Sequence, residues 1–196
     1  MMTKKSLFIW ETIGLFFIFF AGSLLHFVFD WTGSWRPIAW LAAVNESTWE
    51  HLKLAFWPGL IFAIVEYLSI GRQVKNFCLG KFLGLLAMPA AIILLFYGYK
   101  AVLGTHNLAL DILIFFLAVA LGQWLGYKVL TARPKGAAAN RLGVIGLLAL
   151  TIAFALCTYY PPHCFLFEDP NTGGYGIENK HSGLSIMPAI VPRRPA

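Results

Sequence analysis

Charge is what this sequence has least of. Only 12% of its 196 residues are Asp, Glu, Lys or Arg, against about a quarter in a soluble domain. Apolar residues make up 59% and aromatics 16%, with seventeen Phe and seven Trp, and the mean hydropathy is +0.70. That composition excludes an ordinary water-soluble globule and points to an integral membrane protein. Cysteine is also scarce. Cys78, Cys157 and Cys164 show no C-x-x-C spacing, which removes the usual thiolate metal sites. Acidic residues are outnumbered, giving a net charge of +6. The excess does not form one basic face, so no nucleic-acid partner is expected. No internal repeat stands out, and the inverted-repeat design of many transporters is therefore not supported.

What the sequence does have is five apolar runs long enough to cross a bilayer. They cover about residues 7–29, 47–70, 77–99, 107–130 and 142–160. The expected fold is all-α, a bundle of five transmembrane helices. Residues 38–44 are apolar but too short to span, so they read as an interfacial or re-entrant piece. Lys4, Lys5, Arg72, Lys75, Lys128, Arg133, Lys135 and Arg141 fall in alternate loops, whereas the opposite loops carry only Arg36 and Lys100. The positive-inside rule then places the N-terminus in the cytoplasm and the C-terminus outside. Glu11 lies inside the first run, which reads as an uncleaved span rather than a signal peptide. Pro89 interrupts the third span, and a kink is expected there. Gly80-x-x-x-Gly84 and Gly122-x-x-x-Gly126 offer close helix contacts, within the chain or toward a protein partner or second copy.

The densest polar stretch is Asn45-Glu46-Ser47-Thr48-Trp49-Glu50-His51-Leu52-Lys53, which opens the second span. Ser47-x-x-Glu50 has the form of a capping box, in which Ser47 accepts from the Glu50 N–H and Glu50 reaches back to the Ser47 N–H. Asn45 is a second candidate cap. Glu46 and Glu50 also suit the positive end of the helix dipole.

Capping does not account for His51, nor for the other ionisable groups at the same depth. His26 and Asp30 end the first span, His106 and Asp111 open the fourth, and His163 and Asp169 follow the fifth. Intramembrane ionisable groups are costly and point to function or to pairing. The expectation is that His26, Glu50, His51 and Asp111 face one outer cavity between spans one, two and four. Such a set offers Zn²⁺ its usual imidazole and carboxylate ligands, with Glu50 as ligand or base and Glu50 and His51 as catalytic candidates. Without a metal, the same four residues form a hydrogen-bonded staple. Plainer roles compete: His106 starts a helix in water, and Asp30 pairs with Arg36. Glu11, Glu66 and Lys81 lie near the inner surface and read as an interhelical ion-pair group.

Residues 163–196 are rich in Gly and Pro and form an outer tail, ordered to about residue 177 and flexible beyond it. His163 or Asp169 of this tail could cap the outer cluster as a lid. Cys157 and Cys164 are expected to be mostly free thiols.

Two strings carry a resemblance: Val44-Asn45-Glu46-Ser47-x-Trp49-Glu50-His51-Leu52-Lys53, and Phe167-x-Asp169-Pro170-x-Thr172-Gly173-x-Tyr175-Gly176-Ile177. With His26 upstream, they resemble an uncharacterised family of small bacterial polytopic membrane proteins. In that family Pro commonly precedes the first string, and here Ala43 stands there. The resemblance implies the topology and a bacterial cytoplasmic membrane, but no activity. Three functions remain in view: a non-catalytic membrane module with the outer cluster as binding site or staple, a metal-dependent hydrolase acting on a lipid or envelope substrate, and a small transporter or channel subunit. The lipid bilayer is the one partner expected in all three.

Overall fold

The computed structural model describes residues 3–177. The flexible end expected beyond Ile177, with His181 and the basic pair Arg193 and Arg194, falls outside the described residues. Five helices follow in order: α1 Lys4–Trp31, α2 Thr48–Ser69, α3 Phe77–Leu103, α4 Leu108–Leu130 and α5 Ala137–Tyr159. All five are long and apolar enough to cross a membrane. Among the described residues there is no strand beyond one antiparallel bridge between Glu168 and Tyr175. The all-helical five-span architecture is therefore as the hydropathy predicts. The helices run past the apolar runs at several ends, because a helix need not stop where the hydrocarbon does. The largest difference is α5, which starts at Ala137 rather than near residue 142.

The chain enters α2 through residues 32–47, which include a single 3₁₀ turn at Arg36–Ile38. Trp35 and Trp40 of this stretch are exposed, but its small apolar residues turn inward. Ala39, Ala42 and Val44 are buried against Phe29 of α1 and Ile177 of the closing segment.

Burial ranks the helices. In α2 61% of the most apolar window is buried, and in α3 50%, against 22% in α1 and 17% in α5. A helix that is apolar all round is buried or lipid-facing, and here α2 and α3 supply the centre. Ile18, Leu52, Phe56, Leu85, Met88, Val119 and Phe154 form the main core, so every helix contributes to it. With hydrocarbon outside as well as inside, such apolar packing does not by itself hold helices together; close approach and polar contacts must.

Close approach is supplied by the small-residue motifs. A Cβ on Gly84 would meet the Gly122 carbonyl at 2.7 Å, and one on Gly122 would meet the Gly84 carbonyl at the same distance. Gly80 faces Gly126 and Leu130 one turn on. Both motifs are thus consumed by the α3–α4 contact. Of the two uses expected for these faces, the contact within the chain is the one seen here.

Polar contacts hold both ends. At the end carrying the N-terminus, buried Asn76 donates to the carbonyls of Val129, Ala132 and Arg133 and accepts the Lys135 N–H at 2.9 Å. Nearby, Lys81 Nζ lies 2.5 Å from Glu11 Oε1 and 2.5 Å from Glu66 Oε2. That is the ion-pair group expected from the sequence. The opposite end gathers the C-termini of α1, α3 and α5 and the N-termini of α2 and α4.

Candidate metal-binding site

Ser47 caps α2 as the sequence suggests. Its hydroxyl accepts the Glu50 N–H at 3.4 Å. The reciprocal half of the capping box is absent. The Ser47 N–H goes instead to Asn45 Oδ1 at 2.9 Å, a local Asx turn. Trp49, another residue of the first turn, donates its N–H to the carbonyl of Leu166 at 2.9 Å.

Glu50 is thereby released and turns inward. Its Oε2 accepts the Val44 N–H at 3.0 Å and lies 2.5 Å from Lys53 Nζ. Its Oε1 accepts the Thr158 hydroxyl of α5 at 3.2 Å. Lys53 also donates to the Ala39 carbonyl and to Thr158 Oγ1, each at 2.8 Å. All three protons of its ammonium have an acceptor, as a buried charge requires. Lys53 and Thr158 are 0% exposed and Glu50 2%. This is a sealed staple joining α2, the segment before it and α5. Glu50 therefore lies apart from the histidines, with both of its oxygens bonded inside the staple. That corrects its assignment to the outer cluster.

The position left open by Glu50 is filled by Glu46. Lying ahead of the cap, outside the helix, Glu46 swings to the α1 side. Its Oε2 is 3.7 Å from His26 Nε2 and 3.5 Å from His51 Nε2. The two imidazole rings meet edge to face, with centroids 5.1 Å apart. His51 Nδ1 lies 2.9 Å from the Ser47 carbonyl. A carbonyl can only accept, so Nδ1 carries the hydrogen, and in the neutral ring the free lone pair is the one on Nε2. Fixing a ligand histidine through its second nitrogen is common around bound metals. The three donor atoms lie within 4.8 Å of one another, and among the described residues no other group of three His, Cys, Asp or Glu does so. Two atoms each about 2.0–2.1 Å from a tetrahedral zinc stand about 3.4 Å apart. The two separations from Glu46 Oε2 are close to that, while being too long for good hydrogen bonds. The side chains are 31%, 47% and 35% exposed for His26, Glu46 and His51, so the site is open on one side.

Asp111 does not join them. It accepts a short hydrogen bond from the Tyr99 hydroxyl, and its other oxygen lies 3.3 Å from Nδ1 of exposed His106. This cluster closes the α3–α4 turn, where the Tyr99 hydroxyl also accepts the Asn107 N–H at 3.0 Å. Asp111 finds a partner, as its cost in lipid demands, but from the neighbouring helix end in sequence. Asp30 sits exposed at the end of α1, its carbonyl accepting the Gly33 N–H.

The closing segment is no lid over the histidines. His163 stacks on Tyr175, with centroids 4.5 Å apart and planes 2° from parallel. Buried Asp169 accepts the Asn171 N–H and shapes the turn that follows it. The segment instead packs onto the α2 start. Trp49 is stacked between Phe154 and Phe167, at 4.7 and 4.5 Å, and Asn45 donates to the Gly176 carbonyl. The two long motifs of the sequence are thus two sides of one contact.

Sequence reasoning missed Lys53, Thr158 and Asn76. A signal existed for Lys53, an ammonium seven residues into an apolar span. None existed for Thr158, one polar atom near a helix end. Glu46 was noticed as a cap and as part of the outer polar group, and its position outside the helix is what brings it to the two imidazoles.

No curated protein and no solved structure matches the chain. A family model described as a family of unknown function, DUF6512, matches residues 1–177, a stretch that contains His26, Glu46, His51 and both long motifs. The chain is a member of that family, DUF6512, a multi-pass membrane protein of a family of unknown function.

Proposed function

We propose that this protein binds a divalent metal ion of the zinc type at the membrane surface, through His26 Nε2, His51 Nε2 and Glu46 Oε2. The observation that carries the reading is the convergence of these three atoms within 4.8 Å, with Glu46 Oε2 at near ligand–ligand spacing from both imidazoles and His51 Nδ1 held by the Ser47 carbonyl. Two imidazoles and one carboxylate match the donor set of zinc sites that keep a fourth position for water or substrate. The basic loops support an N-terminus in the cytoplasm, which puts the site on the outer face of a bacterial cytoplasmic membrane. Next to it, the Glu50–Lys53–Thr158 staple supplies a rigid floor.

A metal so placed would polarise a bound oxygen or lower the pKa of a bound water. That supports a hydrolytic role on a lipid or envelope substrate as the second reading. Glu50 supplies no base for it. A transport role has less support, because the polar groups fall into separate satisfied clusters at the two ends.

The test is metal content of the protein purified in detergent after exposure to zinc. One equivalent per chain is expected, falling to background in the His26→Ala/His51→Ala double variant and sharply reduced in Glu46→Gln. Equal metal in wild type and double variant would end the proposal.

A further inference from the structure

The second buried charge cluster lies at the other end of the bundle, far from the histidines in the fold. Glu11 of α1, Glu66 of α2 and Lys81 of α3 meet there, 4%, 0% and 4% exposed. One ammonium touches both carboxylates, at 2.5 Å each. Fully ionised, the group would carry one negative charge in excess. The other elements do not neutralise it. From α4, Gln123 donates only to the Glu11 backbone carbonyl, at 3.0 Å. Among the described residues, no further Lys, Arg or His nitrogen comes within 4.0 Å of either carboxylate.

Glu11 Oε2 and Glu66 Oε1 are buried, and no protein group donates a hydrogen bond to them. An uncompensated carboxylate in a low-dielectric interior takes up a proton rather than stay charged. Two carboxylates that share one site behave this way together, and the proton belongs to the pair. A hard metal ion fits less well, since it needs about six or more oxygen ligands, whereas a proton needs only a lone pair.

We propose that Glu11, Glu66 and Lys81 form a one-proton binding centre, in which the Glu11/Glu66 pair holds a single exchangeable proton and the triad is neutral. Glu66 lies three residues before the end of α2 and Lys81 four after the start of α3. At about 1.5 Å per residue this is only about one turn from the aqueous face, a short path for exchange. Loss of the proton would place a net charge at the junction of α1, α2 and α3.

Infrared spectroscopy of the full chain in lipid, with glutamate carboxyls labelled with carbon-13, tests this. At neutral pH the wild type should show a protonated-carboxyl band. Glu66→Gln and Glu11→Gln each remove the charge excess, so each should fold, melt no lower than wild type and lose that band. Glu46→Gln should keep it. Absence of the band in wild type, its survival in either buried variant, or failure of both buried variants to fold would overturn the proposal. The last result would mean that both carboxylates are needed as anions.

Discussion

The side-chain amide of Asn45 donates to the backbone carbonyl of Gly176 at 2.9 Å, across 131 residues of chain. The same side chain accepts the Ser47 N–H through its oxygen. One residue thus shapes the entry to α2 and fastens the closing segment to it. Gly176 has φ +67, and a Cβ there would meet Pro161 and the Thr158 carbonyl, so the fit is close on both sides. Asn45→Ala should cost about 1–3 kcal/mol, from two lost hydrogen bonds. Limited proteolysis of residues 161–177 should quicken in that variant. Unchanged protection would show that Trp49 stacking alone holds the segment.

Lys53 and Glu50 depend on each other. Lys53→Met leaves a buried carboxylate without its counter-charge, and losses of about 3–5 kcal/mol follow from breaking such a pair. Glu50→Gln/Lys53→Met should recover part of that, because no charge is then stranded. Thr158→Val should cost less, about 1–3 kcal/mol. Unfolding in mixed micelles would rank the three. A double variant less stable than Lys53→Met alone would contradict the staple.

Metal binding should also be visible as stability. A ligand that binds only the folded state adds about 2.7 kcal/mol at a hundred times its dissociation constant. Zinc should therefore raise the melting temperature of the wild type and of His106→Ala, and leave His26→Ala/His51→Ala unmoved. A His106→Ala variant that lost the zinc response would move the site to the Asp111 cluster.

Gly84 and Gly122 are set where two backbones touch. Gly84→Leu or Gly122→Leu should lower the yield of folded protein severely, by forcing α3 and α4 apart. Size-exclusion of whatever folds should show the wild-type oligomeric state. A clean change of oligomeric state at unchanged stability would mean that these glycines serve a second copy after all.

Cys78, Cys157 and Cys164 are all unpaired in the structure. A maleimide in denaturant should label all three without prior reduction. In intact cells, a reporter fused after Ile177 should read as extracytoplasmic and one at Arg133 as cytoplasmic. The reverse pair of signals would invert the placement of the metal site.

The helices were legible because hydrocarbon imposes a simple condition: about twenty apolar residues in a row and every backbone group bonded within the helix. The depth of each polar residue was legible for the same reason, since position along a span translates directly into height. His26 and His51 accordingly lie together. What depth does not contain is rotation. Glu46 and Glu50 occur four residues apart at nearly one height, but the Ser47 cap puts the first outside the helix and the second within it. One therefore meets the imidazoles and the other turns to Lys53. Asp111 has the right height as well, yet Tyr99 of α3 takes it.

By itself, the sequence determined that this chain forms five helices long and apolar enough to cross a membrane, and at which end His26, His51, His106 and His163 lie, because apolar run length and polar position are local properties. Only the tertiary structure decided which carboxylate serves the histidines, which is sealed in a staple, and that the closing segment packs on Trp49. Those outcomes depend on which faces of α1, α2 and α5 meet, and for the staple and the closing segment the partners lie more than a hundred positions apart.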